Sequence, residues 1–394
     1  MRKCYLYFVL LLSTIFVGAQ TQTDSITLNP QTQLNAAQRL LSGNYGSAVT
    51  VGAYAEMLYN QPEGDNGELD VQRMVLLFGY RFNEKTQFVT EVELEHVNEI
   101  YVEQAFVNYT VGSNTSLRGG LMLVPMGIVN EFHEPTTFNG VERPEMDNVI
   151  IPTTWRELGV GVTGRFNDIS LGYQAYVFNG FKSSEADGEG GISGLLKGSN
   201  GLRSGRQKAI QSTVDSPTLS TKLDYYGIPG LRLGFATYLG KTQAADDVET
   251  LNGANIGIAM FGLDARYAYS RFTARGQFIH ASLSDTEAYN NLTGNDLGSA
   301  LQGFYIEGAY NLLSLNKAQK LFAFARFEKF DTHASTAGSL VDNEAFDRTD
   351  VTTGLTYHLA PGVVLKGDYQ FRSNALNGTD GVKNRLNFGI GVWF

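Results

Sequence analysis

Apolar and polar residues take turns, one by one, along most of this chain. Between Val49 and Tyr59, the residues Val49, Val51, Ala53, Ala55 and Met57 share one face, and Thr50, Gly52, Tyr54 and Glu56 share the other. Met74, Leu76, Phe78, Tyr80 and Phe82 stand opposite Arg73 and Arg81, and Val92 and Leu94 stand opposite Glu91, Glu93 and Glu95. The pattern returns at 157–166, 231–239, 351–359 and 363–371. A period of two predicts strands with one apolar and one polar face. Roughly sixteen such segments of about ten residues follow one another, the length of a tilted strand that crosses a bilayer.

A single segment of this kind would also suit a soluble sandwich, so the connections decide. Short turns are expected at Asn83-Glu84-Lys85, Gly112-Ser113-Asn114, Asn167-Asp168, Gly227-Ile228-Pro229-Gly230 and Ala360-Pro361-Gly362. Long polar loops alternate with them, among them 180–217 and 332–348. Turns on one rim and loops on the other predict an all-β chain: a transmembrane antiparallel β-barrel of about sixteen strands. The connection at Val97 to Glu99 breaks the rhythm, being short where a long loop is due. The closing stretch NRLNFGIGVWF also alternates, with Leu386, Phe388, Ile390, Val392 and Phe394 on one face. A closed barrel explains this, because its last strand must pair with its first: hydrocarbon cannot satisfy a free edge.

Arg2 and Lys3, the apolar run Tyr5 to Val17 and the small residues Val17-Gly18-Ala19 read as a secretory signal at 1–19. Cys4 precedes the apolar run, so the mature chain would have no cysteine. Residues 20–47 read as a periplasmic segment with a helical turn or two, and 48–394 as the barrel. Without Arg2 and Lys3, 28 basic residues face 40 acidic ones, a formal charge of −12. That balance argues against a nucleic-acid partner.

With apolar residues facing lipid, the polar set points inward, and about sixteen strands leave an aqueous lumen. Arg73, Arg81, Arg118, Arg165, Lys222, Arg232, Arg266, Arg275, Arg326, Lys366 and Arg385 are its cations. Glu56, Glu91, Glu93, Glu95, Glu157, Asp224, Asp264, Glu307, Glu328 and Asp368 are its anions. Two readings stand: a charged pore lining that sorts solutes, or a lattice of cross-strand pairs bracing the wall. The segment from Pro125 to Trp155 is long, proline-rich and mixes Ile128, Phe132, Phe138 and Val141 with acids, so it is expected to be packed. We expect residues 125–154 to fold inward as a constriction loop, bringing Glu131, Glu134, Glu142, Glu145 and Asp147 opposite an arginine-bearing wall; the alternative is a loop packed on the outer rim.

The stretches RGGLMLVPMGIVNEF, VERPE and IIPTTWRELGVGVTG, from Arg118 to Gly164, resemble the phosphate-selective porin O/P family and its Bacteroidetes-type porin relatives. The resemblance implies passive diffusion of small hydrophilic solutes or ions through an outer-membrane channel, with an anion or phosphate preference as an option and often a trimer. It carries over Arg118 as a wall arginine, and Phe394 as the aromatic read by the barrel-insertion machinery. Outer-membrane lipid and lipopolysaccharide are then the surroundings. The expected pore-lining and constriction set is Arg73, Arg81, Arg118, Glu131, Glu134, Glu142, Arg143, Glu145, Arg165 and Arg385.

Other chemistry is weaker. Gly159 to Gly164 fits a dinucleotide-binding glycine pattern, but strand alternation continues where a helix must follow. His96, His133, His280, His333 and His358 show no ligand spacing, so no metal or other cofactor is expected. Lys197, Arg203, Arg206 and Lys208 form a basic cluster in the loop 180–217, read as solvated or as an attractor of anions or lipopolysaccharide. An embedded lipid hydrolase lacks a Ser/His pair, so no enzyme is expected. A transporter for hydrophobic solutes plugged by 20–47, or an adhesive or structural barrel, are the competing functions.

Overall fold

The computed structural model describes residues 29–43, 48–187, 191–245, 249–376 and 382–394. The expected leader 1–19 lies outside them, as does part of 20–47. In chain order the strands are β1 (Val49–Pro62), β2 (Glu68–Arg81), β3 (Thr86–Glu95), β4 (Glu99–Gly112), β5 (Thr115–Leu123), β6 (Arg156–Phe166), β7 (Leu171–Phe178), β8 (Lys182–Ala186), β9 (Ile192–Gly194) and β10 (Thr218–Tyr225). They continue with β11 (Leu231–Lys241), β12 (Gln243–Ala244), β13 (Gly257–Tyr269), β14 (Phe272–Ser284), β15 (Ala300–Asn311), β16 (Lys320–Ser335), β17 (Asp347–Ala360), β18 (Val363–Asn374) and β19 (Arg385–Trp393). Among the described residues, helix α1 (Ala36–Ser42) precedes β1, and α2 (Met146–Val149) and α3 (Thr286–Thr293) lie between strands.

Among the described residues, sixteen of these strands close one antiparallel barrel, while β8, β9 and β12 form a small sheet in the loops. The seam is β1 against β19, in register from Tyr54 opposite Trp393 to Pro62 opposite Arg385. Ala53 and Phe394 exchange both backbone hydrogen bonds at 2.9 Å. The alternating final stretch is therefore wall, paired on both sides.

Strand β15 shows how the alternation is used. Phe304, Ile306 and Tyr310 face outward and are exposed, while Tyr305, Glu307, Ala309 and Asn311 face inward and are buried. Near the turn-bearing rim, Tyr80, Phe82, Tyr109, Phe166, Tyr225, Tyr267, Tyr269, Phe272 and Tyr310 are all exposed. Such a ring suits the headgroup layer, where one edge of a side chain is dry and the other wet. The turns follow their residue types: Asn83 Oδ1 accepts from the backbone N–H groups of Lys85 and Thr86, each at 2.9 Å. Gly362 takes φ +77°, and a Cβ there would strike the Trp393 carbonyl oxygen. On the opposite rim, three residues, His96 to Asn98, join β3 to β4, with His96 and Val97 both in the left-handed region.

One expectation needs revision. The inner face is polar only in part: Val75, Leu77, Phe106, Tyr238, Met260, Ile279 and Leu301 point inward and are buried in one cluster with Val124, Met126, Ile128, Val149, Ile150, Ile151 and Trp155 of the crossing segment. A chain segment that folds across a lumen needs dry wall to pack on, since burying apolar surface is what offsets its ordering.

Candidate functional site

The crossing segment is tied at its base by one side chain. Asn130 donates to the carbonyls of Val124 (2.7 Å) and Trp155 (3.0 Å), and accepts from the Trp155 N–H at 2.7 Å. From there the segment reaches strands all round the barrel. Glu131 accepts from Gln174 on β7 at 2.7 Å and pairs with buried Lys222 on β10 at 2.5 Å. Gln277 on β14 accepts from the Ile128 N–H at 2.6 Å and donates to Asp147 at 2.7 Å. Asn139 meets Glu307 on β15, the Val141 N–H meets Asp368 on β18, and Glu142 meets Asn60 on β1. These contacts place the segment inside the barrel rather than on its rim.

Residues 29–43 lie beneath it at the rim of short turns. Gln31 donates to the Tyr226 and Ile228 carbonyls at 2.7 Å each. Asn35 both caps α1 and donates to the Glu131 carbonyl at 2.9 Å. Glu134 accepts from the Ala36 N–H, and Arg39 stacks 3.6 Å from the centre of the Trp393 ring. On the far side, the loop after β8 and β9 docks through two arginines. Arg203 donates to the Asn148 and Thr153 carbonyls, and Arg206 to those of Pro152 and Thr154.

Two cavities flank the crossing segment. The outer one, of about 230 Å³, collects Arg73, Arg143, Arg156, Arg203, Arg206 and Lys208 against Glu56, Glu93, Glu95, Glu142, Glu145 and Asp147. Glu95 and Tyr101, which flank the short β3–β4 turn, form part of its mouth. The inner one, of about 60 Å³, is lined by Arg266, Arg275, Thr273, Asn139, Phe132 and His358 among others. Phe138 lines both, with the Lys366 ammonium 3.6 Å from its ring centre. The two cavities meet at this ring.

The charges sort into two populations. Around β10 to β18 most are paired: Arg232 with Asp224 (2.9 Å), Arg275 with Glu307 (2.9 Å), Arg326 with Glu328 (2.8 Å) and Arg372 with Asp350 (3.3 Å). This is the bracing lattice that the alternation allowed. Within it, register aligns three arginines on neighbouring strands: Arg232 opposite Arg266, and Arg266 opposite Arg275. The outer two have their carboxylates. Arg266, 5% exposed, has no hydrogen-bond partner for any of its three nitrogens and, among the described residues, no ion pair. It lies 4.3 Å from the Phe132 ring centre and faces the inner cavity. Like charges directly opposite each other in a sheet repel, and an unpaired buried cation is costly.

Burial also shifts groups on the loops. It lifts Asp147 from the ordinary 3.8 to about 6, opposed by the Gln277 hydrogen bond, and raises Glu142. Burial, then nearby Arg203, brings Arg206 down to about 9.

Of the ten residues expected at the pore, Arg73, Glu142, Arg143 and Glu145 meet at the outer cavity. Glu131 and Glu134 are spent on anchoring, to Lys222 and to α1. Arg385 donates to Gln370 on the neighbouring strand. Arg118 donates to Asn108 and Tyr176, Arg81 to the Gly43 carbonyl, and Arg165 sits at the turn rim with its guanidinium 6.0 Å from the Tyr226 ring centre. Arg156 was not in the expected set, and Arg266 was expected inward without a role. Alternation could show which way Arg266 points, not that two arginines would flank it.

A sequence profile described as phosphate-selective porin O and P matches residues 46–329. An uncharacterized protein of Aquifex aeolicus (strain VF5) is 34% identical over 342 residues, covering 82% of this chain and 75% of that relative. Among solved structures, an anion-selective porin from Comamonas acidovorans superposes with a TM-score of 0.56 at 12% identity, over 88% of this chain and 99% of that one. The trimer form of OmpT from Vibrio cholerae gives 0.52 at 11% identity, over 88% and 100%. The outer-membrane channel DcaP of Acinetobacter baumannii gives 0.55 at 12%, over 88% and 97%.

Proposed function

Because the chain belongs to the phosphate-selective porin O and P family and forms a bacterial outer-membrane channel, we propose that it conducts small anions, phosphate among them, by passive diffusion. The observation that carries this is Arg266, a buried guanidinium without a partner at the centre of a three-arginine row. Asp264, Asp224 and Glu131 lie near enough to act on Arg266 without bonding to it, and an anion in the inner cavity supplies the direct contact that it lacks. At the outer cavity, Arg156, Arg203, Arg206 and Lys208 gather anions before they pass Phe138. The matching porin that is itself anion-selective supports the same preference.

No step of this function breaks a bond, and the channel reading involves no catalytic group. The barrel assembles as a homotrimer, as the trimer form of its structural neighbour suggests, embedded in lipid and lipopolysaccharide, with the exposed Phe394 presented to the insertion machinery. Purified protein in planar bilayers under a salt gradient should give stepwise currents whose reversal potential has the sign of anion selectivity, and phosphate should reduce chloride current. A cation-selective reversal potential would overturn the proposal; crosslinking in mild detergent tests the trimer.

A further inference from the structure

Where the crossing segment approaches β1, β3 and β4, four side chains converge: Tyr54, Glu91, Glu103 and His133. Glu91 and Glu103 are wholly buried and His133 is 1% exposed. The Glu103 position is made by a local irregularity. Glu91 pairs with Gln104, but the next residue, Val92, pairs with Val102, so Glu103 is the extra residue of a β-bulge. Glu103 and Gln104 are consequently both buried. A bulge re-aims a side chain, and such devices gather at functional sites.

The cluster has too many acceptors. His133 Nδ1 lies 3.2 Å from the Asn130 carbonyl; a carbonyl can only accept, so Nδ1 carries a proton, and in the neutral imidazole Nε2 presents a lone pair. That lone pair faces Glu103 Oε2 at 3.4 Å and Glu91 Oε2 at 3.9 Å. Tyr54 supplies the hydroxyl, 2.9 Å from both Glu103 Oε2 and His133 Nε2. Glu91 Oε2 and Glu103 Oε1 have no hydrogen-bond partner. A second proton on His133 would serve one carboxylate oxygen and leave the rest bare. Arg73 does not fill the deficit: it donates to Glu56 and to the His133 carbonyl.

We propose that Glu91, Glu103 and His133, with the Tyr54 hydroxyl at the fourth position, form a structural site for a divalent transition-metal ion, zinc by its chemistry. One ligand atom from each of the first three lies within 4.8 Å of the others. A tetrahedral ion with ligands at about 2.1 Å sets ligand atoms about 3.4 Å apart, close to the spacings given above. Imidazole with two carboxylates suits zinc, whereas magnesium and calcium require more oxygens. The outer shell of such a site is also present. The Asn130 carbonyl fixes the imidazole, and Gln104 donates to Glu91 Oε1 at 2.7 Å. The ion would rivet the crossing segment to β1, β3 and β4, across the lumen from its Lys222 anchor on β10.

The test uses the tag-free full-length barrel in detergent, stripped with EDTA, dialysed against limiting zinc chloride and measured by elemental analysis. Expected is about one tightly held zinc per chain, with a rise in unfolding temperature on loading. His133→Gln and Glu103→Gln should each weaken retention about 100-fold or more. Should a variant fail to fold, Glu91→Gln and competition by magnesium chloride in the wild type carry the same information. No retained zinc in the wild type, equal retention in folded variants, or displacement by magnesium at equal concentration would overturn the site.

Discussion

Arg266→Gln separates a ligand-binding role from a structural one, because the two predict different outcomes for phosphate block and for stability. The substitution removes the charge and keeps a polar side chain of similar reach. On the anion side, a phosphate oxygen about 4 Å from the guanidinium gains about 4 kcal/mol at an effective dielectric of 20. Desolvation leaves roughly 1.5–3 kcal/mol for a charge-assisted contact. Phosphate block of chloride current should therefore weaken about 10- to 150-fold. On the stability side, Arg266 faces Arg232 and Arg275 directly. Removing two like-charge contacts at about 0.2–1 kcal/mol each should gain about 0.4–2 kcal/mol, against roughly 0.5–2 kcal/mol lost with the Phe132 stack and the lost attraction of nearby Asp264, Asp224 and Glu131. The unfolding temperature in detergent should thus stay about level while selectivity falls. Arg266→Lys, which keeps the charge and loses the planar fork, should give an intermediate block. A variant that unfolds several degrees earlier with phosphate block unchanged would refute the reasoning and make Arg266 a packing residue.

Phe138→Ala removes the ring shared by the two cavities; single-channel conductance should rise severalfold, and an unchanged conductance would show that the path runs elsewhere. Lys222→Met leaves Glu131 and Asp264 buried without their cation, which should cost about 3–5 kcal/mol, read as an earlier thermal transition that adding Glu131→Gln partly restores. Asp147 contributes a pH dependence of known sign. Its folded value of about 6 exceeds the ordinary 3.8, so between those values the folded chain holds a proton that the unfolded chain has lost. Stability should fall by up to about 3 kcal/mol as pH rises through that window and be flat above it. Asp147→Asn should abolish that part of the slope and stabilise the barrel at pH 7, as followed by unfolding scans from pH 4 to 8.

The alternation from Val49 to Phe394 was sufficient for the barrel, because which side of a strand a residue faces is a local property with a period of two. It told lipid from lumen at Met74 and Arg73, it made the closing strand part of the wall, and the spacing of turns and loops told one rim from the other. The composition of 125–154 showed that this segment would be packed, and left open whether inside or outside. What fills the lumen was decided by tertiary structure. Glu131 reaches Lys222 across 91 residues, and Gln277 reaches Asp147 across 130. The row Arg232, Arg266, Arg275 exists only once register sets three strands side by side. His133 has no ligand spacing in the chain and lies beside Glu91 and Glu103 only because a loop crosses the barrel and a bulge turns Glu103 inward. Facing is encoded residue by residue, but register and loop docking are set by the balance of buried area and charge over the closed wall, and no short stretch of sequence contains that balance.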